Sequence, residues 1–479
     1  MEYKINKHLL LKLENKKTNI YVDGQLFKQC HFLLLNISVH ELANIERGRS
    51  IDEISETLNK SMERNNDNIS SKYNITPEQE FQAHCSNLQA WVENGYDTRL
   101  LHRNLAFPLL KRLADIGDSL AKNEFKNQVA QRFSSGSASV IRFLIEGKYL
   151  DKFTDEELVT LFNSTDFFNC DDDLINNLTK GYITPLLDFI EPGSSILLSI
   201  NKLNLGRMNK VPRSINELLN LKELTITNIG IPQDLKVPLS LHKLTLDNNS
   251  LTRFPAFVEE LCFLKDLIIS SNNLTRIPDS IGNLDSLEAL FLPQNSLVSI
   301  PKSLGNLRSL EYLILNNNKL QSIPVLIGTL KFLKSLSFSN NRLANLPKTI
   351  GDLHSLFYLD LGTNKLTSLP ESIGNLHSLE ALFLADNMLT SIPDSIGNLR
   401  SLKRLKLTNN RLTSIPDSIR KLKFLQELYL SNNRLTNIPD SIRKLKSLQE
   451  LYLSNNRLSN IQEFIENMKF LNPKLKIYL

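Results

Sequence analysis

Cysteine is scarce: Cys30, Cys85, Cys170 and Cys262 are scattered through 479 residues, with no CxxC pair and no cluster of the kind that caps extracellular repeat arrays. Such spacing argues against a disulfide framework or a zinc site, and reduced thiols in a cytoplasmic protein are expected. No stretch reaches the roughly 18 apolar residues of a membrane span. The opening MEYKINKHLLLKLENKK places lysines around a run of only three leucines, so no secretory signal is expected. The patterns GxxxxGK[ST], GxGxxG, HExxH and GxSxG are missing. Their absence removes the commonest phosphate, dinucleotide, zinc and serine-nucleophile chemistries, so neither catalysis nor a cofactor is expected.

With 41% hydrophobic and 22% charged residues, the chain can build a core throughout its length. It is too long for one ordinary core unless that core repeats along an axis. The net charge of +5 is unevenly placed. From Leu402 to Leu479 there are fifteen Lys and Arg against six Asp and Glu, while the remainder holds 41 against 45.

The pattern LxxLxLxxNxL recurs with its first Leu at Leu241, Leu264, Leu287, Leu310, Leu333, Leu356, Leu379, Leu402, Leu425 and Leu448, a step of 23 residues. Degenerate copies start at Leu221 and near Leu198, giving about twelve coils. Apolar positions 1, 4 and 6 point into a core, and the period-two alternation of the last pair marks a short strand whose position 5 faces out. The asparagine at position 9, such as Asn318 or Asn364, can donate and accept at once. Buried at the turn, it is expected to satisfy backbone groups of neighbouring coils. The following I/L-P-x-x-I-G-N-L, as in Ile392-Pro393-Asp394-Ser395-Ile396-Gly397-Asn398-Leu399, ends the strand side and starts a return of one helical or 3-10 turn. The result is an α/β solenoid with a continuous parallel sheet. After Leu458 the proline becomes Gln462, and Leu475, Ile477 and Leu479 alternate with Lys476 and Tyr478, which reads as a capping strand with lysines blunting the sheet edge.

This repeat resembles the LxxLxLxxNxLxxIPxxIGxL class of intracellular leucine-rich repeats, to which Ras-binding scaffolds and many prokaryotic proteins belong. The resemblance covers residues 198–479 and implies a horseshoe that binds protein on its concave sheet, with a small GTPase as one partner it suggests.

The outward positions between the leucines set the expected site. Position 5 runs Thr245, Ile268, Phe291, Ile314, Ser337, Asp360, Phe383, Lys406, Tyr429, Tyr452, and position 3 adds Tyr312, Tyr358 and Arg404. Exposed rings on a rigid sheet bury much area for little rotamer entropy, which suits binding, although strands also favour aromatics for their own sake. Position 10 turns basic along the array, from Ser250, Asn273 and Ser296 to Lys319, Arg342, Lys365, Met388, Arg411, Arg434 and Arg457. That rim either solvates the last coils or receives an acidic protein patch, an anionic membrane surface or nucleic acid, although nucleic-acid motifs are absent.

Four regions follow: 1–60, a small β unit with a helix; 61–75, a linker; 76–190, an α-helical domain; and 191–479, the solenoid. The β unit carries the hairpin signal Asp23-Gly24. From Thr76-Pro77 onward, apolar spacings of three and four in FQAHCSNLQAWVENG, TRLLHRNLAFPLLKRLADIG and the segments after them predict helices, loosely similar to HEAT-like stacks. YDTRLLHRNLAFPLLKRL behind a β unit also resembles a module found ahead of leucine repeats in archaeal proteins, a resemblance that implies no activity. The alternative of an enzyme or effector in 76–190, targeted by the repeats, would need His84, His102 and Arg103 gathered in one pocket, or His84 serving Cys85 as a base. Adjacent helical residues point about 100° apart, against the second arrangement. Trp91 is expected in the core. Asp171-Asp172-Asp173 lacks the spacing of a calcium loop.

Overall fold

A computed structural model describes residues 1–28, 76–101, 103–167, 170–206, 208–459 and 461–479. The chain divides into two compact units, Met1–Asp171 and Asp172–Leu479.

In the first unit β1 (Glu2–Lys4), β2 (Leu9–Glu14), β3 (Lys17–Val22) and β4 (Gln25–Leu26) form an antiparallel meander. Asp23 and Gly24, at φ 50° and 75°, make the tight hairpin turn that both residue types favour. Leu9, Leu11, Ile20 and Val22 alternate onto one buried face, which packs on α1 (Pro77–Glu93). The predicted helix and linker over residues 51–75, and the strand residues 29–39, lie outside the described residues. Thr76 caps α1 with a reciprocal Gln79 box. Helices α2 (Arg103–Asp115), α3 (Ser119–Phe133), α4 (Ala138–Glu146) and α5 (Asp155–Ser164) follow, close to the predicted segments. Their core holds Trp91 edge-on to Tyr96, and a group formed by Phe107, Phe125 and Tyr149.

The second unit begins with α6 (Asp172–Leu178) and α7 (Ser195–Ser199) and continues as the solenoid. Its strands are β5 (Lys202–Asn204), β6 (Glu223–Thr227), β7 (Lys243–Asp247), β8 (Asp266–Ile268), β9 (Ala289–Phe291), β10 (Tyr312–Ile314), β11 (Ser335–Ser337), β12 (Tyr358–Asp360), β13 (Ala381–Phe383), β14 (Arg404–Lys406), β15 (Glu427–Tyr429), β16 (Glu450–Tyr452) and β17 (Lys476–Tyr478). They pair in sequence order as one 13-stranded parallel sheet, roughly 60 Å long at the usual strand spacing. Before β17 the chain forms a helix, α8 (Ile461–Leu471), where the sequence pattern led only to a strand. With no proline to stop it, IQEFIENMKFL buries Phe464, Ile465 and Met468 at helical spacing.

One coil shows how the repeat holds itself. Leu356, Leu359, Leu361 and Leu366 are fully buried, as are Ile373 and Leu376 on the return. Each fully buried aliphatic side chain contributes about 1.5–3 kcal/mol. Pro347, at φ −68°, opens the 3-10 turn Lys348–Asp352, and an equivalent turn recurs from coil to coil. Gly351 keeps neighbouring turns close, since a Cβ there would lie 2.2 Å from the Ser372 carbonyl oxygen.

The position-9 asparagines do what their chemistry requires. Asn364 accepts from the Leu343 N–H at 3.0 Å and donates to the carbonyls of Phe338 and Leu361 at 2.9 and 3.0 Å. A second ladder runs beside the first. Position 8 sits in the left-handed region, for example Asn317 and Asn340 at φ 57° and 53°, a conformation asparagine tolerates. Its exposed amides link coil to coil, as in Asn340 to Asn317 at 2.6 Å and Asn455 to Asn432 at 2.7 Å.

Candidate functional site

Strand register places motif positions 3 and 5 in two straight rows on the sheet, because each strand pairs with the same motif residue of the next coil. The position-4 leucines between these rows are buried. Outward placement is therefore a property of the fold, and what occupies it is free to vary.

The rows bring together six of the expected site residues. Tyr358 meets Phe383 edge-on, with ring centroids 5.4 Å apart. The Arg404 guanidinium lies 5.6 Å from the Phe383 centroid on the other side. Ala381 faces outward between Tyr358 and Arg404 yet is only 1% exposed, covered by its neighbours. The Lys406 ammonium sits 4.9 Å from the centroids of both Phe383 and Tyr429. Tyr429 and Tyr452 stack at 4.3 Å, and their hydroxyls donate to Glu427 and Glu450 at 3.1 and 2.9 Å. Tyr478 continues the stack at 4.2 Å from Tyr452. The sequence pattern puts Tyr478 on a capping strand, outside the expected site. Parallel pairing of Tyr452 with Tyr478 shows that β17 extends the same row, and the clue was the two-residue alternation that made Tyr478 an outward residue.

Phe291 and Tyr312 belong to a separate patch. They share β9 and β10 with Ile314, beside Ile268, and Tyr312 is 36% exposed. Ser335 and Ser337 on β11 separate them from Tyr358, so the expected single stretch from Phe291 to Tyr452 is two patches. Ser337 also corrects the expectation that position 5 always faces solvent, because it is buried between Ile314 and Asp360. Arg434 and Arg457 lie beyond the buried Asn433 and the half-buried Asn456, outside the strands. They are exposed and make no ion pair among the described residues, but they are not on the aromatic wall.

Burial raises the phenol pKa of Tyr358 and, helped by Glu427, that of Tyr429; the bond donated to Glu450, followed by burial, raises that of Tyr452. All three are neutral near pH 7. A raised folded value means that the unfolded chain ionises first, so stability is intact below about pH 10 and falls as pH rises further. An alkaline titration should show phenolate absorbance from these tyrosines growing in step with the loss of structure; ionisation well before unfolding would contradict their half-buried, carboxylate-flanked setting.

The N-terminal unit offers less chemistry. His84 is buried with Nε2 3.4 Å from Glu80, and burial pushes the Cys85 thiol up to about 11, the reverse of an activated nucleophile. His102 and the side chain of Arg103 lie outside the described residues. Asp171 pairs with Arg142 at 2.8 Å, and Asp172 and Asp173 open α6. Among the described residues no three His, Cys, Asp or Glu side chains gather as metal ligands, and no helix is long and apolar enough to cross a membrane.

A one-dimensional stack of short strands and 3-10 turns with an exposed, variable sheet face defines a solenoid recognition scaffold. A family model described as a leucine-rich repeat region matches residues 294–392, and one described as leucine rich repeat matches 262–320 and 400–458. A leucine-rich-repeat protein of Leptospira interrogans is 31% identical with a TM-score of 0.55, over 68% of this chain and 86% of that one. An internalin of Listeria monocytogenes is 25% identical with a TM-score of 0.54, over 59% and 81%. The leucine-rich-repeat part of FLRT2, solved in an octameric complex with latrophilin 3 and Unc5D, is similar at 25% identity and a TM-score of 0.50, over 58% and 89%. A search of the curated proteins returned no match. The chain belongs to the leucine-rich-repeat family, whose members mediate protein–protein interaction.

Proposed function

We infer that the chain is a non-enzymatic adaptor or scaffold that holds another protein on its concave wall. The observation that carries this is the unbroken series Tyr358, Phe383, Lys406, Tyr429, Tyr452 and Tyr478, each member in contact with the next across successive strands. A packed row of rings on a rigid sheet spends little conformational entropy on binding. The resemblance of the repeat class to Ras-binding scaffolds makes a small GTPase the first partner class to test. Cytoplasmic action fits Cys85, Cys170 and Cys262, which are all unpaired thiols.

Partner capture by the full chain from native extract, followed by affinity measurement with the purified partner, tests the reading. Tyr358→Ala, Phe383→Ala and Tyr429→Ala should each weaken binding by at least about 2 kcal/mol, roughly thirtyfold in Kd. These residues face outward, so cooperative unfolding should persist in each variant. Undiminished affinity in the triple variant would sink the idea. The exposed Arg434 and Arg457 favour a second reading, attachment to an anionic surface. Vesicle binding that vanishes at physiological salt and in Arg434→Gln/Arg457→Gln, alongside a concave wall that captures nothing, would put that reading first.

A further inference from the structure

We propose that the wall between Tyr358 and Tyr452 selects a protein segment carrying an acidic side chain flanked by apolar ones, with the carboxylate seated against Arg404 and Lys406. This rests on the protein-binding reading and adds the partner's chemistry.

Several lysines along the array are neutralised by an adjacent coil: Lys265 by Glu288 at 2.8 Å, Lys334 by Glu311 at 2.6 Å, Lys403 by Glu380 at 2.9 Å and Lys476 by Glu450 at 3.9 Å. Lys243 on β7 makes no ion pair among the described residues, but along the sheet only on β14 do cations without a carboxylate partner lie against aromatic rings. Arg404 and Lys406 have no carboxylate within 4.0 Å among the described residues, and ring faces flank them instead. The acids that could have neutralised them are engaged elsewhere. Glu427, the neighbour of Arg404 across the sheet, takes the Tyr429 hydroxyl; Glu450 takes that of Tyr452; Asp360 takes the Gly362 N–H at 3.0 Å.

Two cations held among rings are positioned before any partner arrives, so a carboxylate meets a fixed charge with little ordering cost. Closure of apolar side chains over Phe383 and Tyr429 would exclude water from the pair and strengthen it. The same wall carries Asp360, Glu380, Glu427 and Glu450, which repel a polyanion such as nucleic acid or a lipid surface. An isolated acid between apolar neighbours fits this pattern, and a continuous row of phosphates does not.

The test uses the full chain and short synthetic peptides in which Asp or Glu is flanked by Leu and Phe, compared with Asn or Gln and with Lys versions, read by fluorescence anisotropy. The acidic peptides should bind at least about tenfold more tightly than their amides. Arg404→Glu/Lys406→Glu should abolish that preference, Lys406→Arg should retain it, and Arg434→Gln/Arg457→Gln should leave it unchanged. Equal affinity for acid and amide, with binding still lost in the Tyr358, Phe383 and Tyr429 alanine variant, overturns the acidic preference and leaves the protein-binding wall standing. Peptide binding insensitive to both sets of variants, or no peptide binding at all, overturns the proposal. So does binding to phosphatidylserine vesicles, but not to peptides, that depends on Arg434 and Arg457.

Discussion

Phe338→Ala should lower the stability of the repeat array by about 3–5 kcal/mol, the range for emptying a buried phenyl site. Phe338 occupies motif position 6, where the coils before and after carry Leu315 and Leu361, and it is fully buried. The two flanking leucines are held by their own strands and buried asparagines, so they have little freedom to collapse into the space. The residue also lies under the boundary between the two outward patches, next to Ser337. Trp91, the only tryptophan, belongs to the Met1–Asp171 unit, so its fluorescence will not report the loss. Amide hydrogen exchange will. Protection should fall first on β10, β11 and β12 and much less on β6, because coils stabilise chiefly their neighbours. Uniform loss along the whole array, or an effect below about 1 kcal/mol, would contradict a close-packed core at this position.

Asn364→Leu should cost about 1–3 kcal/mol although it places an apolar residue among apolar ones. The reason lies in which groups lose their only partner. Asn364 donates to the carbonyls of Phe338, Leu361 and Gly362, but each of these has another donor: Asn341 Nδ2, Asn387 Nδ2 and the Asn340 N–H respectively. The Leu343 N–H is different, since its recorded bond is to Asn364 Oδ1. Leucine would leave that donor buried and unpaired. Denaturant unfolding followed by circular dichroism should show a lower midpoint for the variant, with exchange of the Leu343 amide among the most accelerated. Wild-type protection of Leu343 in the variant would mean that the ladder is dispensable there.

Much of this was legible in the sequence because the array is built from local rules repeated every 23 residues. Leucine at positions 1, 4 and 6, asparagine at 9 and proline after the next apolar residue each have one physical use in a short coil. The sheet, the 3-10 returns and the inward asparagines followed from them. Where the repeat fades, so did the reading. The helix α8 replaces a 3-10 turn that proline normally opens, and residues 172–190, whose helical pattern puts them with the preceding domain, fall in the same compact unit as the solenoid.

The sequence by itself determined which side chains face outward, since alternation along a three-residue strand leaves no other choice. Only the tertiary structure decided which of those side chains form one surface. Register across separate coils sets Tyr478 on Tyr452, Phe383 between Tyr358 and Arg404, and a polar strand between two apolar patches. It also decides which lysines are neutralised and which stand free, because an ion pair depends on the charge one coil away, 23 residues along the chain but one strand spacing away in space.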